Sequence, residues 1–163
     1  MSWLVFYRNK RMIYLMAGKP EDREVHKVIG QWPAHNDVQS SSNGHWPSRP
    51  QPYRYVHFKS HPEEYNAYDP SHQSFKPEKG YSRHMVLQEM YGGQGIHIFD
   101  VPGRSGMGVH AGRSFRTNSI THQYYGELGG VTNGCIRVTP TAMHFINNTH
   151  NSGDKLVGIF VKG

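Results

Sequence analysis

A single cysteine in 163 residues, Cys135, excludes any internal disulfide, so packing and hydrogen bonding alone must hold the fold. No stretch approaches the ~20 consecutive apolar residues that cross a bilayer as a helix. Trp3 to Tyr7 is too short for the apolar centre of a secretory signal, and Arg8, Lys10 and Arg11 follow it instead of preceding it. The chain is therefore expected to be soluble, with no membrane span and no export signal. Twelve histidines are present, but there is no second cysteine and no His-Glu-x-x-His run. His57 with His61, or His97 with His110, are pairs around which zinc would have to gather, and without those companions no metal or other cofactor is expected. There is no internal repeat either, and 163 residues suit one domain spanning 1–163.

Apolar residues make up 36% of the chain and mean hydropathy is −0.71, so the core must be economical and much of the chain loop. Lysine and arginine outnumber aspartate and glutamate 18 to 12, for a net charge of +6, which attracts polyanions. The basic residues are scattered, without a stripe or interleaved aromatics, so nucleic acid is not an expected partner.

Trp3–Tyr7 and Met12–Met16 flank a polar Arg8-Asn9-Lys10 turn and predict a hairpin. Val25 to Ile29 continues the sheet. Gln31 to Pro52, rich in Ser, Asn, Gly and Pro, reads as loop; Tyr53 to Phe58 resumes a strand. Pro62 to Tyr81 reads as a surface excursion shaped like a lid, and Met85–Met90 and Gly95–Val101 as further strands. After Cys135 the apolar period lengthens. Thr139-Pro140 offers an N-cap with proline at the first helical position, and Ala142, Phe145, Ile146 and Thr149 fall on one helical face. Asn151-Ser152-Gly153 ends that helix, and Leu156–Val161, apolar on both faces, reads as an interior strand. The fold class is mainly β, about seven strands with one short helix after the cysteine.

Cys135 lies in Thr132-Asn133-Gly134-Cys135-Ile136-Arg137-Val138, and His110, 25 positions upstream (135 − 110), lies in Gly108-Val109-His110-Ala111-Gly112. That pairing offers a nucleophile and a base: a thiol attacks a carbonyl only as thiolate, and an imidazole can take its proton. The bland alternative is a buried, inert thiol. The amides of Gly134 and Cys135 are candidate oxyanion donors, with the side-chain amide of Asn133 beside them. Arg137 suits either a substrate carboxylate or an internal ion pair.

The Gly134-Cys135-Ile136-Arg137 box behind a threonine, with His-Ala-Gly upstream, resembles the active-site signature of the YkuD-type L,D-transpeptidases. Arg11–Leu15 resembles that family's first hairpin, Val28-Ile29-Gly30 its next strand, and Asn43-Gly44 through Pro50-Gln51-Pro52-Tyr53 its Gly/Pro-rich segment. The likeness spans nearly the whole chain, though only the cysteine box is specific. It implies an L,D-transpeptidase-like β-sandwich and a cysteine enzyme acting on peptidoglycan stem peptides. Its catalytic residues would be Cys135, His110 and the backbone carbonyl of Ala111, which would orient the imidazole. Cross-linking, D-amino acid exchange and L,D-carboxypeptidase trimming, all through a thioester, stay open.

Asn133 stands where the family's box usually has histidine, and the His110–Cys135 spacing exceeds the usual one. The excess reads as a loop insertion around Asn118 to Gly126, whose His122, Tyr124 and Tyr125 either line the groove, binding substrate, or cover the core. Gly95-Ile96-His97-Ile98 also resembles a strand bearing an active-site histidine, so His97 joins Arg137, His122 and Tyr124 as a substrate-binding candidate; His110 is preferred as base because Ala-Gly follows it. The family's substrate lies in the periplasm or cell wall. A secreted antibacterial effector, with secretion or immunity partners, or a phage-borne wall enzyme reconciles that location with the absent export signal. Two rivals are a catalytically inactive wall-binding module, suggested by Asn133, and a papain-like wall amidase, whose nucleophile opens a helix with the histidine downstream.

Overall fold

Two β-prone apolar runs around a polar turn build the first hairpin. In the computed structural model, which describes residues 1–18, 27–36, 53–59, 94–103, 106–111, 116–117, 124–125 and 134–163, β1 (Ser2–Tyr7) pairs antiparallel with β2 (Met12–Ala17) in unbroken register. Leu4, Phe6, Ile13 and Leu15 turn to one face and are fully buried, each contributing about 1.5–3 kcal/mol by leaving water. Trp3, Val5 and Met16 turn to the other, where Tyr7, Tyr14, Val157 and Phe160 complete a smaller apolar cluster.

β3 (Lys27–His35), β4 (Tyr53–Lys59), β5 (Ile96–Phe99), β6 (Gly108–His110), β9 (Ile136–Val138) and β10 (Leu156–Lys162) close the sheet into a barrel in the order β1-β10-β4-β5-β6-β9-β3-β2. The pairs β1/β10 and β6/β9 are parallel and the rest antiparallel. The fold is mainly β, as the sequence implies, but its strands form a closed barrel where a sandwich was expected. Two strands account for the difference, because each passes from one half of the sheet to the other. β3 pairs with β2 as far as Pro33 and then with β9 at Ala34 and His35; β4 pairs with β10 at Tyr53 and Arg54 and then, through a bulge, with β5. Strands that switch sheets turn the corners of a sandwich and leave no open edge.

β3 therefore runs well past Gln31, where the polar composition predicted a loop. Its last residues are extended because β9 supplies the partner, a long-range contact that composition does not record. Of the predicted insertion, Tyr124–Tyr125 is described: it forms β8 and pairs with β7 (Arg116–Thr117) as a small separate ribbon. The expected strand at Met85–Met90 and the expected excursion at Pro62–Tyr81 lie outside the described residues.

Among the described residues there is one helix, α1 (Pro140–Asn151). Thr139 caps it as anticipated, its hydroxyl accepting from the Ala142 amide at 3.1 Å, with Pro140 in the first turn where its missing N–H costs nothing. Its buried face is Ala142, Met143 and Ile146, which join the core lined by the strands. Phe145, expected on that face, is 44% exposed and packs against the ring of Trp32, centroids 5.3 Å apart.

Candidate functional site

The parallel pairing of β6 with β9 sets Val109 beside Ile136 and His110 beside Arg137. Val109 and Ile136 are core residues, so alternation along each strand sends His110 and Arg137 to the opposite face. Strand alternation thus collects the predicted base and guanidinium on one side of two neighbouring strands, with the predicted nucleophile, Cys135, immediately before β9. His110 and Arg137 are each 3% exposed, whereas Cys135 is only half-buried. The sulfur lies 3.7 Å from the Gly106 carbonyl oxygen, to which a thiol can donate.

Two glycines shape the approach. Gly134, buried immediately before the thiol, has φ 111°, a left-handed conformation that L side chains rarely adopt. Gly134→Ala is expected to lower stability by about 1–3 kcal/mol through backbone strain. Urea denaturation followed by circular dichroism checks this, an unchanged midpoint counting against it. Gly108 lies so close to β5 that a Cβ there would run into the backbone carbonyl of His97, so only glycine lets the two strands pair at this point.

His97 is elsewhere. The β5/β6 register pairs it with Val109, on the core side, and pairs Ile96 with His110. It was expected to bind substrate; it sits instead in an interior network, 1% exposed. The side-chain amide nitrogen of Asn147 donates to the Gln94 carbonyl at 3.0 Å, leaving the amide oxygen to accept from His97 Nε2–H at 2.7 Å. The Tyr55 hydroxyl, 3.3 Å from Nδ1, donates to the remaining ring nitrogen; burial pushes its pKa up to about 12, so it keeps its proton. Both ring nitrogens are thus satisfied in the neutral imidazole. Burial accordingly lowers the His97 pKa to about 4, against a smaller opposing effect of the Asn147 hydrogen bond. The rings of Phe58 and His150 pack against it at 4.8 and 5.4 Å. His97 and His110, one of the two pairs weighed as zinc ligands, thus face opposite ways; His61 of the other pair lies outside the described residues.

Of the remaining candidates, Ala111 follows His110 with its side chain in the core. Asn133 and His122 lie outside the described residues, and Tyr124 is the β8 residue paired with Thr117. Unlike the papain-like order, in which the nucleophile opens a helix, Cys135 immediately precedes a strand. His144 is exposed on α1, and His150 accepts from the Leu156 amide at 3.0 Å.

One residue on the site's face was missed by sequence reading. β3 pairs His35 with Arg137 across the β3/β9 ladder, so a row His35–Arg137–His110 runs over three adjacent strands. The available signal was the polar residue ending Trp32-Pro33-Ala34-His35, read as loop.

No family model matches the chain, and no curated protein matches it. Among solved structures, it is similar to Bd1075 of Bdellovibrio bacteriovorus, at 12% identity and a TM-score of 0.48 over 96% of this chain and 47% of that one. It is also similar to a fused Zn-dependent amidase/peptidase/peptidoglycan-binding domain-containing protein from Clostridium acetobutylicum ATCC 824, at 11% identity and a TM-score of 0.46 over 98% of this chain and 51% of that one. The chain spans about half the length of each. Likeness this distant leaves the chemistry to be read from the chain's own residues.

Proposed function

We propose that this chain is a cysteine acyltransferase of the L,D-transpeptidase type, acting on peptidoglycan stem peptides. The observation that carries the reading is the β6/β9 register, which pairs His110 with Arg137, two residues along from a half-buried Cys135 that immediately precedes β9.

In this reading His110 takes the Cys135 proton, and the thiolate attacks the carbonyl carbon that follows the L-centre of the diamino-acid residue. A new C–S bond forms and the carbonyl π pair moves onto oxygen. The amides of Gly134 and Cys135 stabilise that oxyanion, the glycine allowing the close approach. Collapse breaks the C–N bond, and the terminal D-amino acid leaves with the proton held by His110. Water, a D-amino acid or a second stem's amine then attacks the thioester, its proton passes to His110, and the thiol is restored. Arg137, paired with His110, offers forked donors to a substrate carboxylate. Such a substrate lies in the periplasm or wall, whose anionic polymers suit the +6 chain.

Incubation with a purified stem tetrapeptide, read by intact mass, tests the proposal. The expected result is D-alanine release together with a protein adduct equal to the tetrapeptide less D-alanine, both absent after blocking with iodoacetamide. No release, no adduct and a thiol that labels no faster than free cysteine would leave a wall-binding module as the better account.

A further inference from the structure

Gln31 and Pro33, the outward-facing residues of β3, are exposed, yet the next one along, His35, is 1% exposed. The change comes where β3 leaves β2 and meets β9. A buried imidazole is costly unless its ring nitrogens are used, so its place in the row is informative. Directly across the ladder stands Arg137, also buried, and directly beyond Arg137 stands His110. In-register neighbours on one face bring their side chains about 4.5–5.5 Å apart at Cβ. A neutral imidazole at that distance has one nitrogen to accept from a guanidinium N–H and a flat ring on which the guanidinium plane can lie.

We propose that His35 is a positioning residue: it holds the Arg137 guanidinium in one orientation, two residues along the chain from Cys135, and so sets where a carboxylate is received near the thiol. His35 itself touches neither the reacting sulfur nor the acyl carbon. It stands two strands from His110 and acts only through Arg137. The role of Arg137 as a carboxylate receiver rests on the acyltransferase reading above, but its orientation by His35 is a property of the folded chain and can be measured without turnover.

Alkylation of Cys135 supplies that measurement. Iodoacetate carries a carboxylate and iodoacetamide does not, so the ratio of their rates reports a guanidinium held near the sulfur. The native protein is expected to favour iodoacetate relative to free cysteine. His35→Ala is expected to lower the ratio by about fivefold, the scale of one well-held charge contact, while the iodoacetamide rate stays put. His35→Gln, which keeps an acceptor for the guanidinium, should restore most of the preference, and Arg137→Gln should abolish it. With stem tetrapeptide as substrate, His35→Ala should raise KM and leave kcat near native. A native ratio no higher than that of free cysteine would overturn the inference, as would an unchanged ratio in His35→Ala with native circular dichroism, or equal slowing of both reagents. Should the native protein fail to turn over stem peptides, the acyltransferase reading falls while the alkylation ratio still decides the role of His35. If His35→Ala does not fold, the ratio in His35→Gln against Arg137→Gln decides it, and equal loss in both counts against the acceptor role.

Discussion

Cys135→Ala is expected to reduce D-alanine release from a stem tetrapeptide to the uncatalysed level, and His110→Ala to slow it by ~10²–10⁴. The two losses differ in kind. Without the sulfur no thioester forms, and neither the adduct nor the products appear in the mass spectrum. Without the imidazole the sulfur remains in place, but its proton has lost its acceptor and the departing amine its donor. Iodoacetamide labelling of His110→Ala at neutral pH should slow in step with turnover, because the thiolate is the reacting species. Cys135 is half-buried, so Cys135→Ala should leave circular dichroism and the urea midpoint near native. His110 is buried, so His110→Ala should lower the midpoint while circular dichroism at zero urea stays native, and rates compared under that condition separate chemistry from unfolding. Labelling of His110→Ala at the native rate would remove the histidine from the mechanism.

The second large effect concerns stability and pH. His97 titrates near 4 in the folded chain, lowered by burial, against an ordinary value of 6.5. Between those values the unfolded chain binds a proton that the folded chain refuses. The stabilisation is thus fully present above pH 6.5 and is lost as pH falls toward 4, where the cost reaches about 3 kcal/mol. The mechanism is visible in the surroundings: protonation would place a charge, cut off from water, among Phe58, Tyr55 and His150. His150, whose own pKa is also lowered by burial, adds to the trend in the same direction. Urea midpoints for the native chain and His97→Gln at pH 7, 5.5 and 4.5 measure it. The variant should be weaker at pH 7 but flatter with pH, by close to one proton's slope. Parallel slopes for the two proteins would exclude His97 as the source.

Several elements were legible because their causes are local. The first hairpin follows from two β-prone apolar runs around Arg8-Asn9-Lys10, and the helix from Thr139-Pro140 ahead of apolar residues at helical spacing. The candidate nucleophile was legible because Cys135 is alone and follows a glycine, here at φ 111°. Periodicity was less reliable where two faces compete: it marked Phe145 as buried, whereas α1 turns Met143 inward and leaves Phe145 at the margin against Trp32.

Residue identity and short-range pattern alone determined the strand-rich character, the capped helix and the presence of a lone thiol with a candidate base upstream. Only the tertiary structure decided that β3 and β4 cross between sheet halves to close a barrel, that His97 faces the core while His110 faces outward, and that His35 stands beside Arg137. The reason lies in register. A shift of one residue in how two distant strands pair reverses which side chains share a face, and nothing within either strand records that choice.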